Sequence, residues 1–143
     1  MGWLFSALAG AAMSVQGVIN TRLSEKIGLY ESNLIVQGSA FVLSLAAMWI
    51  LGNGQMRAVS TVPKWSLLGG AIGLVITVTV MLGMKQLNNT TLAVSTILLA
   101  QLVVAAFIDG FGWLGAEKMS FHWQQFTGVV LISAGVICFK WSC

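Results

Sequence analysis

Residues 100–115 read Ala-Gln-Leu-Val-Val-Ala-Ala-Phe-Ile-Asp-Gly-Phe-Gly-Trp-Leu-Gly. Together with the apolar residues before it, the run is long enough to cross a bilayer as a helix, at about 1.5 Å of rise per residue. It also holds Asp109, a carboxylic acid set inside a lipid-crossing segment. Such a residue costs roughly 2.5–3.5 kcal/mol on insertion scales at the membrane centre, and less toward the ends. A chain that keeps an acid there has an internal use for it.

Working outward, the composition sets the class. Of 143 residues, 57% are hydrophobic and 8% charged, and the mean hydropathy is +0.89. A soluble domain carries about 25% charged residues, so this is an integral membrane protein. The apolar runs are continuous and about twenty residues long, unlike the alternating segments of about ten that build membrane β-barrels. The fold class expected is therefore all-α, in one transmembrane domain over residues 1–143, with helices at about 3–21, 31–51, 65–86, 91–113 and 120–141. The charged cluster Arg22, Glu25 and Lys26 with Gly28 closes the first. Gly52-Asn53-Gly54 closes the second, Leu87-Asn88-Asn89 the third, and a polar turn at Gly115, Glu117 and Lys118 the fourth. The N-terminus lacks the basic region and small-residue cleavage site of a signal peptide, so the first run is expected to stay as a helix.

The tryptophans support five crossings, because Trp prefers the membrane interface. Five crossings put Trp3, Trp49, Trp65, Trp113 and Trp123 on one side, side A, and Trp141 with Tyr30 on side B. The loop cations do not choose an orientation: Arg57, Lys64 and Lys118 fall on side A, and Arg22, Lys26, Lys85 and Lys140 on side B. An odd helix count with balanced loop charge suits a dual-topology chain that inserts both ways and pairs with an inverted copy. The pair would have ten helices about a two-fold axis in the membrane plane, the symmetry many transporters build by internal repeats. The plainer alternative is one fixed topology, imposed by a partner.

Ala100-Gln101-Leu102 through Ile108-Asp109-Gly110-Phe111-Gly112-Trp113, with Gln16-Gly17-Val18-Ile19-Asn20, resembles the YdcZ-type family of small drug/metabolite transporters. The segments at Gly115–Ser120, Gln125–Gly128 and Ser133–Gly135 are similar to the closing hairpin of the wider drug/metabolite transporter superfamily. The resemblance implies half-size subunits in a bacterial inner membrane that pair antiparallel, with a second copy or a related half-size chain. It implies no settled substrate.

Candidate binding residues follow from polarity at depth. Gln16 and Asn20 are four apart and share a face of the first helix with Ser6, Ala9, Gly10 and Gly17. Gln37 is expected at the same depth in the second helix. Buried amides in lipid must find partners. They can be interhelical glue, worth about 0.6 kcal/mol per bond, or they can line a wet cavity for a small-molecule substrate. In the fourth helix Thr91 and Asp109 are five turns apart on one face, with Ser95 within about 40° of both and Gln101 at mid-membrane, about 80° from Asp109. This stripe assigns Gln101 to substrate contact and Asp109 to the ends of the path. Three roles are open to Asp109: proton exchange against a solute, attraction of cations while ionised, or structural pairing with Lys118 or with His122, Gln124 and Gln125.

The other features read as packing. Gly69 and Gly73 with Thr77 give the third helix a small face, as Gly128 and Gly135 do for the fifth and Gly10 and Gly17 for the first, the pattern close contacts in lipid require. His122 stands alone and is not expected to bind metal. The seven methionines, among them Met81 and Met84, are filler or an adaptable lining. Cys138 and Cys143 have no assigned role. No Cys/His/carboxylate cluster, Gly-rich phosphate loop or Ser-His-Asp grouping occurs, so neither an enzyme nor a cofactor or metal is expected. A net charge of +3, dispersed over loops, is too small for a nucleic-acid partner; membrane lipid is the expected surrounding. Two functions stay open: a secondary transporter of small organic solutes working by alternating access, and a non-transporting membrane subunit that assembles or regulates a paired half-size transporter.

Overall fold

The structure, a computed structural model, describes residues 1–115 and 123–141, apart from the side chain of Gln125. The turn at Glu117 and Lys118, His122, Cys143 and the start of the fifth helix at residue 120 lie outside the described residues. Every regular element among the described residues is helical. Five α-helices run over Gly2–Ile27 (α1), Leu29–Leu51 (α2), Gly69–Leu87 (α3), Thr90–Phe111 (α4) and Trp123–Trp141 (α5). Short 3₁₀ turns occupy Met56–Thr61, Lys64–Leu68 and Trp113–Gly115. Four described helices are long and apolar enough to cross a membrane, Gly2–Ile27, Leu29–Leu51, Lys64–Leu87 and Thr90–Phe111; Phe126–Trp141 is a shorter apolar helix.

The helix ends show where local chemistry overrides the apolar pattern. The charged cluster does not stop α1. Arg22 and Glu25 pair across one turn at 3.3 Å, a spacing that supports a helix rather than ending it, and the helix continues to Ile27. The stop is Gly28, whose φ of 102° suits glycine and strains other residues. Its N–H donates to the Ser24 carbonyl at 3.1 Å and its own carbonyl accepts from the Ser32 N–H at 3.1 Å. A single residue thus closes one helix and opens the next. Pro63 precedes a 3₁₀ turn, so the third apolar run becomes α-helical only at Gly69. Asn88 takes a positive φ of 49°, and the Asn89 side chain caps α4 by accepting from the Leu92 N–H at 3.0 Å, as N-cap residues do. At the other end, Gly112 in the left-handed conformation closes α4 at Phe111, two residues short of the expected end at 113.

The chain forms two compact units, Met1–Gln86 and Leu87–Cys143. In the first, α1 and α2 form an antiparallel hairpin, and α3 meets both through side chains. The buried residues gather at the Gly28 end: Gly17, Asn20, Thr21 and Ser24 of α1, Ser32 and Asn33 of α2, and Met81 and Met84 of α3. Toward side A the same helices expose their apolar side chains, Trp3, Leu8, Phe41 and Trp49 among them. That is the inverse of a soluble protein, and it fits a lipid surround. In the second unit α4 packs on α5.

Candidate functional site

The buried cluster at the Gly28 end is built from three helices. On α1, Asn20, Thr21 and Ser24 lie within about 60° of Gly17, and a Cβ on Gly17 would sit 2.6 Å from Met84 Cε and 3.4 Å from Val80 Cγ1. That face of α1 therefore meets α3. On α2, Ser32 donates its hydroxyl to Met81 Sδ at 3.1 Å, and Gln37 Nε2 donates to Thr77 Oγ1 at 3.5 Å. These two contacts with α3 are about 140° apart around α2, and Asn33 falls between them. Asn33 is 6% exposed, and its Oδ1 is buried with no hydrogen-bond partner. Met81, fully buried, and Met84, nearly so, complete the wall.

The hydroxyl protons in this cluster are committed. Thr21 donates to the Gly17 carbonyl at 2.8 Å, Ser24 to the Thr21 carbonyl at 2.7 Å, and Ser32 to Met81. Every charged residue near these helix ends, Arg22, Glu25, Lys26, Glu31 and Lys85, is exposed. The cluster is polar and uncharged, and the amides of Asn20 and Asn33 in it make no hydrogen bond to another described residue.

The sequence-based candidates are distributed unevenly about it. Asn20 belongs to the cluster, buried at 6% exposure, and also lines an open groove of about 480 Å³ along α1 with Leu8, Ala11, Ala12, Val15, Gln16 and Ile19. Gln16 is exposed in that groove. Gln37 is half-buried, and its amide faces α3, with Nε2 3.7 Å from where a Cβ on Gly73 would stand. Of the small-residue positions, Gly17 and Gly73 meet neighbours, whereas a Cβ at Gly10, Gly69, Gly128 or Gly135 would meet nothing within 4 Å. Ser32, Asn33, Thr21 and Ser24 were not anticipated. The signal was the Ser32-Asn33 pair one turn into α2, which reads as an interfacial helix start, and Met81, which reads as filler.

Gln101 and Asp109 belong to the second unit, and both are exposed. Neither makes a hydrogen bond to another described residue. Between α4 and α5 lies an apolar cavity of about 410 Å³, lined by Val103, Ala106, Phe107, Gly110, Phe111, Phe126 and Val129. Phe107, Phe111 and Trp113 stack along its side of α4, at centroid separations of 6.2 and 5.5 Å. On the helical wheel Asp109 and Gln101 are about 130° and 150° from the centre of the cavity-lining face. The polar stripe of α4 is thus turned away from α5. Gln124 is exposed; the other partners considered for Asp109 lie outside the described residues.

No group of three or more His, Cys, Asp or Glu that could hold a metal occurs among the described residues. What the arrangement offers is recognition by neutral polar groups inside helices that cross a membrane. The class so defined is a multi-pass, all-helical membrane protein with polar groups at depth. Residues 1–138 match the family described as "Putative inner membrane exporter, YdcZ", and the chain belongs to that family. Neither a curated protein nor a solved structure matches it.

Proposed function

We propose that this chain is one half of a secondary-active transporter for a small organic solute, in a bacterial cytoplasmic membrane, working by alternating access across an inverted two-fold dimer of ten helices. The observation that carries the reading is the exposure of Gln16, Gln101 and Asp109 on helices long enough to cross a membrane. Hydrocarbon cannot satisfy an amide or a carboxylate, so these groups need polar cover, which this reading assigns to a second chain and a wet path between the two. Membership of an exporter family supports a transported solute as the reason for that path. The fifth crossing is α5: its 19 residues span about 28 Å at 1.5 Å per residue, and Trp123 and Trp141 stand exposed at its ends, where interfacial anchors belong.

In this mechanism Gln16, Asn20, Gln37 and Gln101 bind the solute. Asp109 exchanges the coupling proton at the ends of the path, which inversion places at both membrane faces. The test is the purified chain alone in liposomes that enclose a pH-sensitive dye, challenged with a panel of small organic solutes. Solute-dependent proton movement is the expected result. A silent response across the panel, from protein shown to be inserted and dimeric, would leave the chain a non-transporting subunit.

A further inference from the structure

The link between α2 and α3 packs against nothing in its unit: every residue from 52 to 68 is exposed. It is nevertheless ordered by chemistry. Its 3₁₀ turns put residues i and i+3 on one edge. Over Met56–Thr61 this gives an edge of Met56 and Val59, an edge of Arg57 and Ser60, and an edge of Ala58 and Thr61. Over Lys64–Leu68, Trp65 and Leu68 share one edge, and Lys64 stands with Leu67 on another. Met56, Val59, Trp65 and Leu68 are 69%, 45%, 51% and 54% exposed. Bare apolar surface of this kind marks a place where a membrane or a partner docks. The third membrane-crossing run begins at Lys64, which puts Lys64 and Trp65 at the membrane edge. An element with Trp and aliphatic side chains on one side and Lys or Arg on another lies in the plane of the headgroups.

Charge identifies what meets the polar side. Residues 52–68 hold Arg57 and Lys64 and no acid. The acids of the first unit are Glu25 and Glu31, both beside Gly28 and about 35 Å away along the 23 residues of α2 at 1.5 Å per residue. Neither Arg57 nor Lys64 pairs with a described residue. The neutral polar groups are already served, since the Ser60 and Thr61 hydroxyls donate to the Arg57 and Ala58 carbonyls at 3.2 and 2.7 Å. The two cations are left to an anion from outside the unit. At this depth the abundant one is lipid phosphate, which a guanidinium grips with two parallel hydrogen bonds and an ammonium attracts as a point charge.

We propose that residues 55–68 form an interfacial segment that binds anionic phospholipid, seated by Met56, Val59, Trp65 and Leu68 and holding the headgroup through Arg57 and Lys64. A zwitterionic headgroup also carries phosphate, but its own cation opposes Arg57 and Lys64, so the segment selects lipid of net negative charge. Each cation adds roughly fivefold to that preference. The segment does this whether or not a solute crosses between two chains.

The test uses the full chain with Cys138→Ser and Cys143→Ser, labelled with bimane at Val59→Cys. It is placed in nanodiscs of equal parts phosphatidylglycerol and phosphatidylcholine, with one or the other brominated on its chains to quench the label. Both are expected to quench, with brominated phosphatidylglycerol effective at a fraction at least fivefold lower. Arg57→Gln with Lys64→Gln should bring the two lipids level while quenching persists, because the apolar edge stays seated. Absence of quenching by either lipid would put the segment in water and overturn the proposal. Equal quenching in the parent chain would overturn the binding of anionic headgroups, and would be the result if carboxylates of a protein partner held the cations. A preference that survives the double substitution would overturn the assignment to Arg57 and Lys64. Loss of the preference in inorganic phosphate, but not in chloride of the same ionic strength, would make free phosphate the ligand and overturn the lipid.

Discussion

The Ser32 hydroxyl donates to the Met81 thioether at 3.1 Å, between two side chains with no exposed surface. It ties α2 to α3 at the level where the first unit buries its polar residues. Met81→Leu keeps the volume, a change that usually costs less than about 1.5 kcal/mol, but leaves the hydroxyl without an acceptor, adding about 1–3 kcal/mol. Ser32→Ala removes the donor and should relieve that second cost. In reversible unfolding in mixed micelles, the double variant is expected to be more stable than Met81→Leu alone. Strict additivity would show that the contact carries no coupling.

Gly17 and Gly10 sit two turns apart on α1 and should respond differently to an added side chain. A Cβ at Gly17 meets Met84 Cε at 2.6 Å, whereas one at Gly10 meets nothing within 4 Å. Because the contact is with the tip of a flexible methionine, Gly17→Ala should cost under about 1 kcal/mol. Gly17→Val should cost about 1–3 kcal/mol by overpacking, partly recovered by Met84→Ala. Gly10→Ala should change the stability of the single chain by less than about 0.5 kcal/mol. If Gly10 faces a partner chain, as the proposed dimer implies, the same substitution will still weaken association, measured by dilution of the protein in lipid.

Much of this was legible in the chain because membrane helices announce their length. The first three apolar runs end at the expected markers Gly28, Gly52 and Asn88-Asn89, whereas the fourth stops at Gly112, before the turn at Gly115 that was expected to close it. Which face turns inward was much less legible. In water the apolar face is the core, but in lipid both faces are apolar and hydropathy no longer tells them apart. The shared face of Gln16 and Asn20 shows this: Asn20 is buried and Gln16, one turn away, is exposed. Arg22 and Glu25 misled in another way, since charge marks the membrane edge but not the helix edge, and α1 runs to Ile27. Asn33 was missed because a polar residue near the start of a membrane helix ordinarily means a headgroup contact.

Asp109 projects from the face of α4 turned away from the α5 cavity, and it is exposed. Removing its charge disturbs no contact with a described residue, so Asp109→Asn should fold, insert and dimerise as the parent chain does. If the carboxylate exchanges the coupling proton, the variant will lose solute flux driven by a pH gradient and keep solute exchange at equal pH on both sides. Gln101→Leu, eight residues away on the same stripe, should lose both. Parallel measurements of driven flux and exchange on the two variants check this. An Asp109→Asn protein with undiminished driven flux returns the acid to a structural role.

The topology prediction follows from charge alone. If the chain crosses five times, Arg57 and Lys64, in the stretch between α2 and α3, share side A with Lys118, and Arg22, Lys26, Lys85 and Lys140 share side B. Orientation follows the excess of Lys and Arg in short loops near helix ends, and a difference of one residue gives insertion almost no bias. Reporters fused to the C-terminus should therefore be found on both sides of the membrane in comparable amounts. Two added arginines between α2 and α3, as Gln55→Arg and Ser60→Arg, raise side A to five cations against four and should hold that side in the cytoplasm. Lys26→Gln with Lys85→Gln should shift the population the same way by depleting side B. Each single-topology variant should be inactive alone, and activity should return when it is expressed with a variant biased the other way. A parent chain whose C-terminal reporter appears on one side only would exclude the inverted homodimer and require a separate, oppositely oriented partner.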